Sequence, residues 1–247
     1  MRTLRVLLLT LGVAVAGCGG GADTLTVSAA ASLKTALTDY GARFEPAKAR
    51  FSFAGSDELA AQIRKGARPD VFASANTELP DQLHDEGLVD KPVTFAGNRL
   101  VLAVPAKSRL GSLRDVERAG TSLAIGSESV PVGAYTRAVL AKLPEAGSSA
   151  ILGNVRSEEP DVAGIVGKLT QGAVDAGFVY VSDVRATDGR LKAIELPESL
   201  QPTVAYGVAV VTGAKHEAAA QAFVDGLLDG DGRRALDAAG FEPPPAQ

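Results

Sequence analysis

The sequence predicts an α/β fold with mainly parallel sheets, on the basis of three observations. Short apolar runs alternate with stretches of helical periodicity along almost the whole chain. Several of these runs are apolar throughout, as in strands that are covered by helices on both faces. The roughly 230 residues that follow an N-terminal leader are enough for one large domain or two lobes. Strand–helix alternation of this kind typically builds parallel sheets.

Each predicted strand is identified by its own pattern. Residues 51–54 place an aromatic side chain at every second position, as a strand with one buried face does. Residues 71–73 form an apolar run directly after Pro69 and Asp70. The remaining predicted strands are wholly apolar and lie at 100–104, 123–125 and 176–181.

Helices are predicted between these strands, because apolar residues recur there every three or four positions. The residues that share one face are Leu33, Ala36, Leu37, Tyr40 and Phe44 in the first helix, Val162, Ile165, Val166 and Leu169 in a later one, and Ala219, Phe223 and Leu227 near the end. Such stripes predict faces that pack into a core rather than ligand-binding surfaces.

Residues 1–17 resemble a bacterial lipoprotein signal peptide. Arg2 and Arg5 precede an apolar run that is too short to span a membrane. The run ends in Val-Ala-Gly-Cys, which resembles a lipobox and implies cleavage before Cys18 and lipid attachment to its sulfur. A plain secretory signal with an incidental cysteine is the alternative. Residues 18–23 are predicted to be a flexible tether, so we expect a lipid-anchored protein on the extracytoplasmic face of the cell membrane.

Charge and cysteine content exclude several classes of function. Loss of the leader would remove two basic residues and leave 23 basic against 29 acidic residues, a net charge of −6. A chain this acidic, without a basic stripe, is not expected to bind nucleic acid. Cys18 is the only cysteine in the sequence, so disulfides, cysteine metal sites and cysteine nucleophiles are not expected in the mature domain.

Five segments place a polar group or a helix start at the end of a strand. Ligands of open α/β sheets bind beyond the carboxyl ends of the strands, so these segments are candidates for a site. In the first, LTVSAAAS, Ser32 is predicted to cap the helix that follows. In the second, FAGSDEL, Gly55 is predicted to permit an unusual turn and Ser56 to begin a helix.

The other three segments lie in the second half of the chain. Pro131 in SVPVGAY is expected to start a helix and to direct the N–H groups from Val132 onward to one side. The segment EPDV opens a helix at Val162, and FVYVSD ends a strand with Tyr180. The N–H groups of a first helical turn lack intrahelical partners, and they form an anion site if they face a cleft.

Read in order, these segments resemble the molybdate-binding proteins of bacterial ABC transporters. The matching segments are AAASL at 29–33, FAGSDELA at 53–60, DVFASA at 70–75, SVPVGAY at 129–135, PDV at 160–162 and GFVYVSD at 177–183. Any one of them is a weak signal, but the ordered set is specific and covers essentially the whole mature chain.

The resemblance implies a site for a tetrahedral oxyanion, held by serine hydroxyls, backbone N–H groups and a tyrosine hydroxyl. The residues that it implies are Ser32, Ser56, Val132, Val162 and Tyr180. The family often has a smaller residue where Val132 stands, a change that a backbone donor tolerates. The metal would be bound only as its oxyanion, molybdate or tungstate, and neither a cofactor nor a catalytic residue is expected.

Asp57 leaves the nature of the anion open. A carboxylate in the pocket would accept the proton of phosphate and repel a fully deprotonated dianion, so Asp57 could indicate a phosphate-binding protein. Alternatively, Asp57 and Glu58 point outward and complement the positive end of their helix. The other segments favour the second interpretation, with a phosphate- or sulfate-type binding protein as the alternative function.

A serine hydrolase is the competing class of function. Ser32 or Ser56 would need a base, and the only histidines, His84 and His216, lie in charged stretches where solvated surface side chains are expected. The segment GSESV lacks the final glycine of a nucleophile elbow, and no histidine pair has metal-ligand spacing. The sequence therefore favours a binding protein over an enzyme.

The resemblance also implies an organisation into two lobes. We expect a periplasmic-binding-protein fold of type II, with two mainly parallel sheets flanked by helices and the ligand in the cleft between lobes. Lobe one is predicted at 24–101 and 208–247, and lobe two at 102–207. The expected partner is an ABC permease with its cytoplasmic ATPase, and the expected state is a monomer. A lipoprotein of the same fold that feeds a sensor stays open as an alternative.

Overall fold

The computed structural model describes residues 24–246, which form two five-stranded sheets flanked by helices. The strands in this part of the chain are β1 Thr24–Ala30, β2 Lys48–Ala54, β3 Val71–Ser74, β4 Val93–Asn98, β5 Leu100–Pro105, β6 Leu123–Gly126, β7 Val155–Glu159, β8 Ala176–Tyr180, β9 Leu191–Glu195 and β10 Val204–Val210. The α-helices there are α1 Lys34–Arg43, α2 Ser56–Arg64, α3 Glu78–Asp85, α4 Pro131–Leu140, α5 Glu145–Gly153, α6 Val162–Thr170, α7 Val181–Arg185, α8 Glu217–Leu228 and α9 Asp231–Ala239. Short 3-10 helices lie at Ala31–Leu33, Leu113–Glu117 and Glu198–Leu200.

The two sheets follow the same plan. The first has the strand order β2-β1-β3-β10-β4, with β1 parallel to β2 and β3, and with β10 antiparallel to β3 and β4. The second has the order β7-β6-β8-β5-β9, with β6 parallel to β7 and β8, and with β5 antiparallel to β8 and β9. Four strands of each sheet therefore run in one direction and one runs against them. The predicted α/β fold with two mainly parallel sheets is confirmed.

The reversed strands, β5 and β10, follow the points where the chain changes sheets. It leaves the first sheet between β4 and β5, at Arg99, and returns between β9 and β10, through residues 196–203. The predicted lobe boundaries fall inside β5 and β10 and are wrong by two to four residues. Apolar runs reveal buried strands, but only pairing assigns a strand to a sheet, as when Leu100 pairs with Tyr180.

We call residues 24–98 and 204–246 the first lobe and residues 100–195 the second lobe. The predicted helical stripes are core faces. Leu33, Leu37, Phe223 and Leu227 are fully buried in the first lobe, as is Ile165 in the second. Helices α8 and α9 pack on β10 and α1, so the C-terminal part of the chain completes the first lobe. Within residues 24–246, no helix is long and apolar enough to cross a membrane.

Candidate functional site

A small cavity lies between the two lobes, at the carboxyl ends of β1 and β2. Its water-accessible volume of about 10 Å³ is close to what a single water molecule requires. Its lining residues are Ala30, Ala31, Ser32, Ala54, Gly55, Ser56, Ala75, Val130, Pro131, Val132, Asp161, Val162 and Tyr180. The family resemblance implied five ligand-binding residues, and all five belong to this lining. Within the described chain, the lining has no basic side chain and a single acidic one.

Ser32 does not cap a helix, contrary to the sequence-based prediction. It lies in the middle of the 3-10 helix Ala31–Leu33, and α1 begins after Leu33 without any side-chain cap. Its hydroxyl is therefore not used by the helix start. Instead, Ser32 Oγ lies 3.0 Å from the Tyr206 hydroxyl and borders the cavity. Ala30 and Ala31 of the first motif line the cavity beside Ser32.

Ser56 begins α2, as predicted, and its hydroxyl is polarised by the backbone. Ser56 is 1% exposed, and its Oγ accepts a 3.1 Å hydrogen bond from the Ala75 N–H group. Because the oxygen accepts from Ala75, the hydroxyl proton remains available to another acceptor. In the cavity wall, Ser56 is thus a donor to anything that carries lone pairs.

Gly55 is required by close packing rather than by an unusual turn. Its φ and ψ of −60° and 138° are ordinary extended values, so the predicted special conformation is wrong. A Cβ atom at this position would instead overlap the Pro160 carbonyl oxygen of the second lobe and lie 2.8 Å from Asp57 Oδ1. The missing side chain allows the two lobes to approach one another beside the cavity.

The second lobe presents two helix starts to the cavity. Pro131 is the first residue of α4, which makes Val132 its second residue, and Val162 is the first residue of α6. N–H groups at these positions have no acceptor within their own helix, and the positive end of the helix dipole adds to their attraction for anions. Both valines are buried, at 1% and 4% exposure, so their N–H groups lie away from bulk water.

Tyr180 supplies a hydroxyl that no group of the described chain uses. It ends β8, where its pairing with Leu100 fixes the backbone. The side chain is 1% exposed and its Oη, fully buried, has no hydrogen-bond partner among residues 24–246. Burial raises the pKa of Tyr180 well above its usual range, so the group stays protonated. A buried, unpartnered hydroxyl in a cavity wall is costly unless something in the cavity accepts its proton.

Comparison with known proteins assigns the family. The model of the bacterial extracellular solute-binding protein family matches residues 25–242. The molybdate-binding protein ModA of Mycobacterium tuberculosis H37Rv is 36% identical over 236 residues, covering 93% of this chain and 88% of the relative. ModA of Escherichia coli K12 is 34% identical over 220 residues, with 82% of each chain covered. The chain belongs to the molybdate-binding protein family.

Solved structures agree with the fold of this family. The periplasmic molybdate-binding protein of Azotobacter vinelandii superposes with a TM-score of 0.80 at 21% identity, over 89% of this chain and 99% of that one. The sulfate-binding protein SubI of M. tuberculosis H37Rv superposes with a TM-score of 0.79 at 17% identity, over 90% and 87%. The two proteins share this two-lobed fold but are named for different oxyanions. The fold therefore does not identify the ligand, and the lining of the cavity has to be considered.

Asp57 bridges the two lobes of this family member at the rim of the cleft. Its Oδ2 accepts a 2.6 Å hydrogen bond from Ser129 Oγ of the second lobe. The residue is not among those that line the cavity, and its Oδ1 is buried without a partner within the described chain. Both interpretations drawn from the sequence missed this contact, because it joins side chains of two lobes that are 72 positions apart in sequence.

One acidic side chain, Asp161, does line the cavity, and a second one lies behind the wall. Asp161 caps α6, with Oδ1 accepting from the Gly164 N–H group at 3.0 Å. Asp183 is 8% exposed and accepts a 2.9 Å hydrogen bond from the Tyr180 N–H group. Burial, together with the charge of Asp161, raises the pKa of Asp183 to about 7, although the Tyr180 hydrogen bond opposes the shift. Asp183 thus holds its proton more firmly than an ordinary carboxyl.

The two histidines contact neither serine. His84 is exposed and its Nδ1 lies 3.1 Å from the Val89 carbonyl oxygen. His216 is not the solvated residue that the sequence suggested: its side chain is 15% exposed and pairs with Asp70 at 3.3 Å. Asp70 also accepts from Thr26, so this cluster ties β1 to the start of α8 at the end of the sheet opposite the cleft.

Sequence reasoning missed two buried polar residues behind the cavity wall: Tyr206, which contacts Ser32, and Asn98, which contacts Tyr206. Tyr206 is fully buried in β10, and Asn98 ends β4 with 4% exposure. The signal was a tyrosine within the apolar run VAYGVAV and an asparagine at the crossing between lobes. Nothing in the local pattern connects either residue with Ser32, because the three meet only through strand pairing in the first sheet.

Proposed function

We propose that this protein captures molybdate, and tungstate with it, outside the cytoplasm and delivers it to an ABC permease with its cytoplasmic ATPase. The observation that supports the proposal is a small cavity, lined by both lobes, whose polar groups are neutral donors apart from the Asp161 carboxylate. Ser56 and Tyr180 have free hydroxyl protons, and the starts of α4 and α6 face the same cavity. The ligand-binding roles of Ser32, Ser56, Val132, Val162 and Tyr180 are part of this proposal.

A metal oxyanion matches such a lining because it is an acceptor at every oxygen. A hydrogen bond from a neutral donor to a charged acceptor contributes about 1.5–3 kcal/mol, so five or more of them can outweigh the loss of hydration. The net negative charge of the chain opposes approach of an anion over long distances, so binding depends on these local donors. Molybdate and tungstate have longer metal–oxygen bonds than sulfate, so a cavity shaped for them would hold sulfate loosely.

Phosphate is the competing ligand. At neutral pH it keeps a proton, which needs an acceptor in the wall. The carboxylate in the lining, Asp161, has Oδ1 occupied by Gly164, and Asp57 is engaged with Ser129 at the rim. Asp161 Oδ2 and Asp57 Oδ1 can still accept a proton, so phosphate is the competitor that the titration below must exclude.

We infer further that the protein is not an enzyme and needs no cofactor. The contacts of Ser32 and Ser56 within the described chain are Tyr206 and the Ala75 N–H group, and neither is a base that could activate a nucleophile. The same oxyanion cavity would serve a transporter or a sensor. We favour transport, because similar proteins are named for ABC transporters. One is a Clostridium difficile substrate-binding domain at 28% identity.

The proposed location is the outer face of the cell membrane, with a lipid on Cys18. Both Cys18 and the predicted leader 1–17 lie outside the described residues. The first described residue, Thr24, opens β1, so the proposed tether 18–23 would join the anchor directly to the first lobe. We expect the anchored protein to act as a monomer. Metabolic labelling with a radioactive fatty acid, compared between wild type and Cys18→Ala, checks the anchor.

Calorimetric titration with molybdate, tungstate, sulfate and phosphate tests the function directly. The proposal expects tight binding of molybdate and tungstate at one site and at least about a hundredfold weaker binding of sulfate and phosphate, a difference of about 2.7 kcal/mol. Preferred binding of phosphate or sulfate would overturn it. Molybdate uptake by cells that lack the gene, restored by wild-type protein, would separate transport from sensing.

A further inference from the structure

The hydroxyl of Ser32 has a partner whose own contacts fix which atom donates. Tyr206 Oη lies 3.0 Å from Ser32 Oγ, and geometry alone allows either oxygen to be the donor. Tyr206 is fully buried, so its hydroxyl cannot turn toward bulk water. The direction of the bond must therefore follow from whatever else contacts Tyr206.

Asn98 determines that direction. Its Oδ1 accepts a 2.9 Å hydrogen bond from the Arg99 N–H group, which fixes the orientation of the side-chain amide. Its Nδ2 then lies 2.8 Å from Ser182 Oγ and 3.5 Å from Tyr206 Oη. An amide nitrogen only donates, so Tyr206 Oη accepts from Asn98.

The proton of Tyr206 then has one acceptor within the described chain, which is Ser32 Oγ. Burial raises the pKa of Tyr206 well above its usual range, so this proton is present at any physiological pH. The opposite arrangement, with Ser32 as donor, would leave the Tyr206 proton buried without an acceptor. Hydrogen bonds therefore run from Asn98 to Tyr206 and from Tyr206 to Ser32, and the Ser32 proton is left for the cavity.

We propose that Tyr206, held by Asn98, is a positioning residue for oxyanion binding that fixes the Ser32 hydroxyl as a donor into the cavity. The inference rests on the proposed function, since it assumes an acceptor-only ligand. It also explains a difference between the serines: Ser56 receives its hydrogen bond from the Ala75 backbone N–H group, so it needs no such side chain. Donation from Tyr206 should additionally strengthen the hydrogen bond that Ser32 makes to the ligand.

The experiment is a double-mutant cycle with molybdate titration as its readout. Tyr206→Phe should weaken molybdate binding about five- to tenfold in the wild-type background and in the Ser56→Ala background. In the Ser32→Ala background the same substitution should change affinity less than twofold, because no hydroxyl remains to be positioned. A structural defect would instead lower affinity equally in all three backgrounds.

Tyr40→Phe is the matched control. Tyr40 is 3% exposed and donates a 3.2 Å hydrogen bond to the Phe223 carbonyl oxygen, within the first lobe and away from the cavity. Thermal unfolding of the free proteins should show comparable losses of stability for the two Tyr→Phe variants, whereas only Tyr206→Phe should lose affinity.

Two results would overturn the inference while leaving the proposed function intact. One is wild-type affinity in Tyr206→Phe, and the other is an equal loss in the Ser32→Ala background. Failure of the wild-type protein to bind any of the four oxyanions would instead reject the proposed function itself. The two failures are therefore distinguishable in one set of titrations.

Discussion

The first lobe presents side-chain hydroxyls to the cavity, whereas the second lobe presents mainly backbone N–H groups. Ser32 and Ser56 follow strand ends in the first lobe, and each Oγ contacts a protein group that leaves its proton free. In the second lobe, Val132 and Val162 occupy the starts of α4 and α6, with Tyr180 as the one hydroxyl. Both arrangements supply neutral donors, but the first depends on the identity of its side chains throughout, whereas the second does so only at Tyr180. Substitutions should therefore affect the two lobes unequally.

Ser56→Ala should have the largest effect. It removes a hydrogen bond to a charged acceptor and also leaves the buried Ala75 N–H group unpaired. Together these losses should weaken molybdate binding about a hundredfold. Ser28→Ala is the control, since Ser28 also lies in the first lobe, on β1, and does not line the cavity. A loss below threefold for Ser56→Ala, measured by calorimetry, would contradict the importance of first-lobe side chains.

Gly55→Ala should be next, because it tests contact between the lobes rather than a donor. The added methyl group would overlap the Pro160 carbonyl oxygen, and overpacking of this kind costs about 1–3 kcal/mol. We expect affinity to fall about thirtyfold and small-angle scattering with molybdate to show a less compact particle. Gly111→Ala, where a methyl group meets no atom within 4 Å, should behave as wild type. Unchanged affinity in Gly55→Ala would argue against close approach of the lobes in the bound state.

Tyr180→Phe should weaken molybdate binding about tenfold, since it deletes one hydroxyl donor from the second lobe. The free protein should be as stable as wild type or more stable, because the deleted hydroxyl is buried without a partner in the described chain. Affinity and stability thus move in opposite directions, which can be seen by titration and thermal unfolding of one sample. A parallel loss of both would indicate a structural role for the hydroxyl.

Val162 offers a test of the backbone donors themselves. Val162→Ala keeps the N–H group and should change affinity less than twofold, whereas Val162→Pro removes it and should weaken binding about tenfold. Proline is tolerated at the first position of a helix, and the extended conformation of Asp161, with φ −156° and ψ 172°, suits a residue before proline. Equal affinities for the two variants would show that this N–H group does not bind the ligand.

The lobes also differ in their buried carboxyls, and this difference should appear in the pH dependence of stability. Burial would raise the pKa of Asp70, but hydrogen bonds from Thr26 and His216 outweigh burial and lower it. Among residues 24–246, Asp183 accepts from Tyr180 alone, and burial raises its pKa to about 7. Because folded Asp183 binds its proton more tightly than the unfolded chain does, its contribution to stability is lost as pH rises from about 4 to about 7.

Asp183→Asn isolates this contribution, since asparagine can still accept from Tyr180 and does not titrate. The free energy of unfolding of wild type relative to Asp183→Asn should fall by about 1.4 kcal/mol per pH unit within that window and stay level above it. Chemical denaturation between pH 4 and 8 measures the difference. A constant difference across the range would show that Asp183 ionises normally.

Part of the candidate site could be predicted from local sequence patterns. Buried strands, helix starts and small residues at the ends of strands are local features, so the α/β fold and the five motif segments could be read from the chain. The family resemblance then selected Ser32, Ser56, Val132, Val162 and Tyr180, which the structure brings around one cavity. Two predictions were wrong: that Ser32 caps a helix and that Gly55 permits an unusual turn. The contacts of both residues are with neighbours far away in sequence.

The sequence by itself determined the alternation of strands and helices, the acidic charge and the order of the motifs, since these depend on periodicity and composition. Tertiary structure alone decided which sheet β5 and β10 join, and it placed Asp57 against Ser129 across the cleft. It also decided the direction of the hydrogen bonds around Ser32. Tyr206 lies 174 positions from Ser32, and contacts of that separation are set by strand pairing and burial rather than by local propensity.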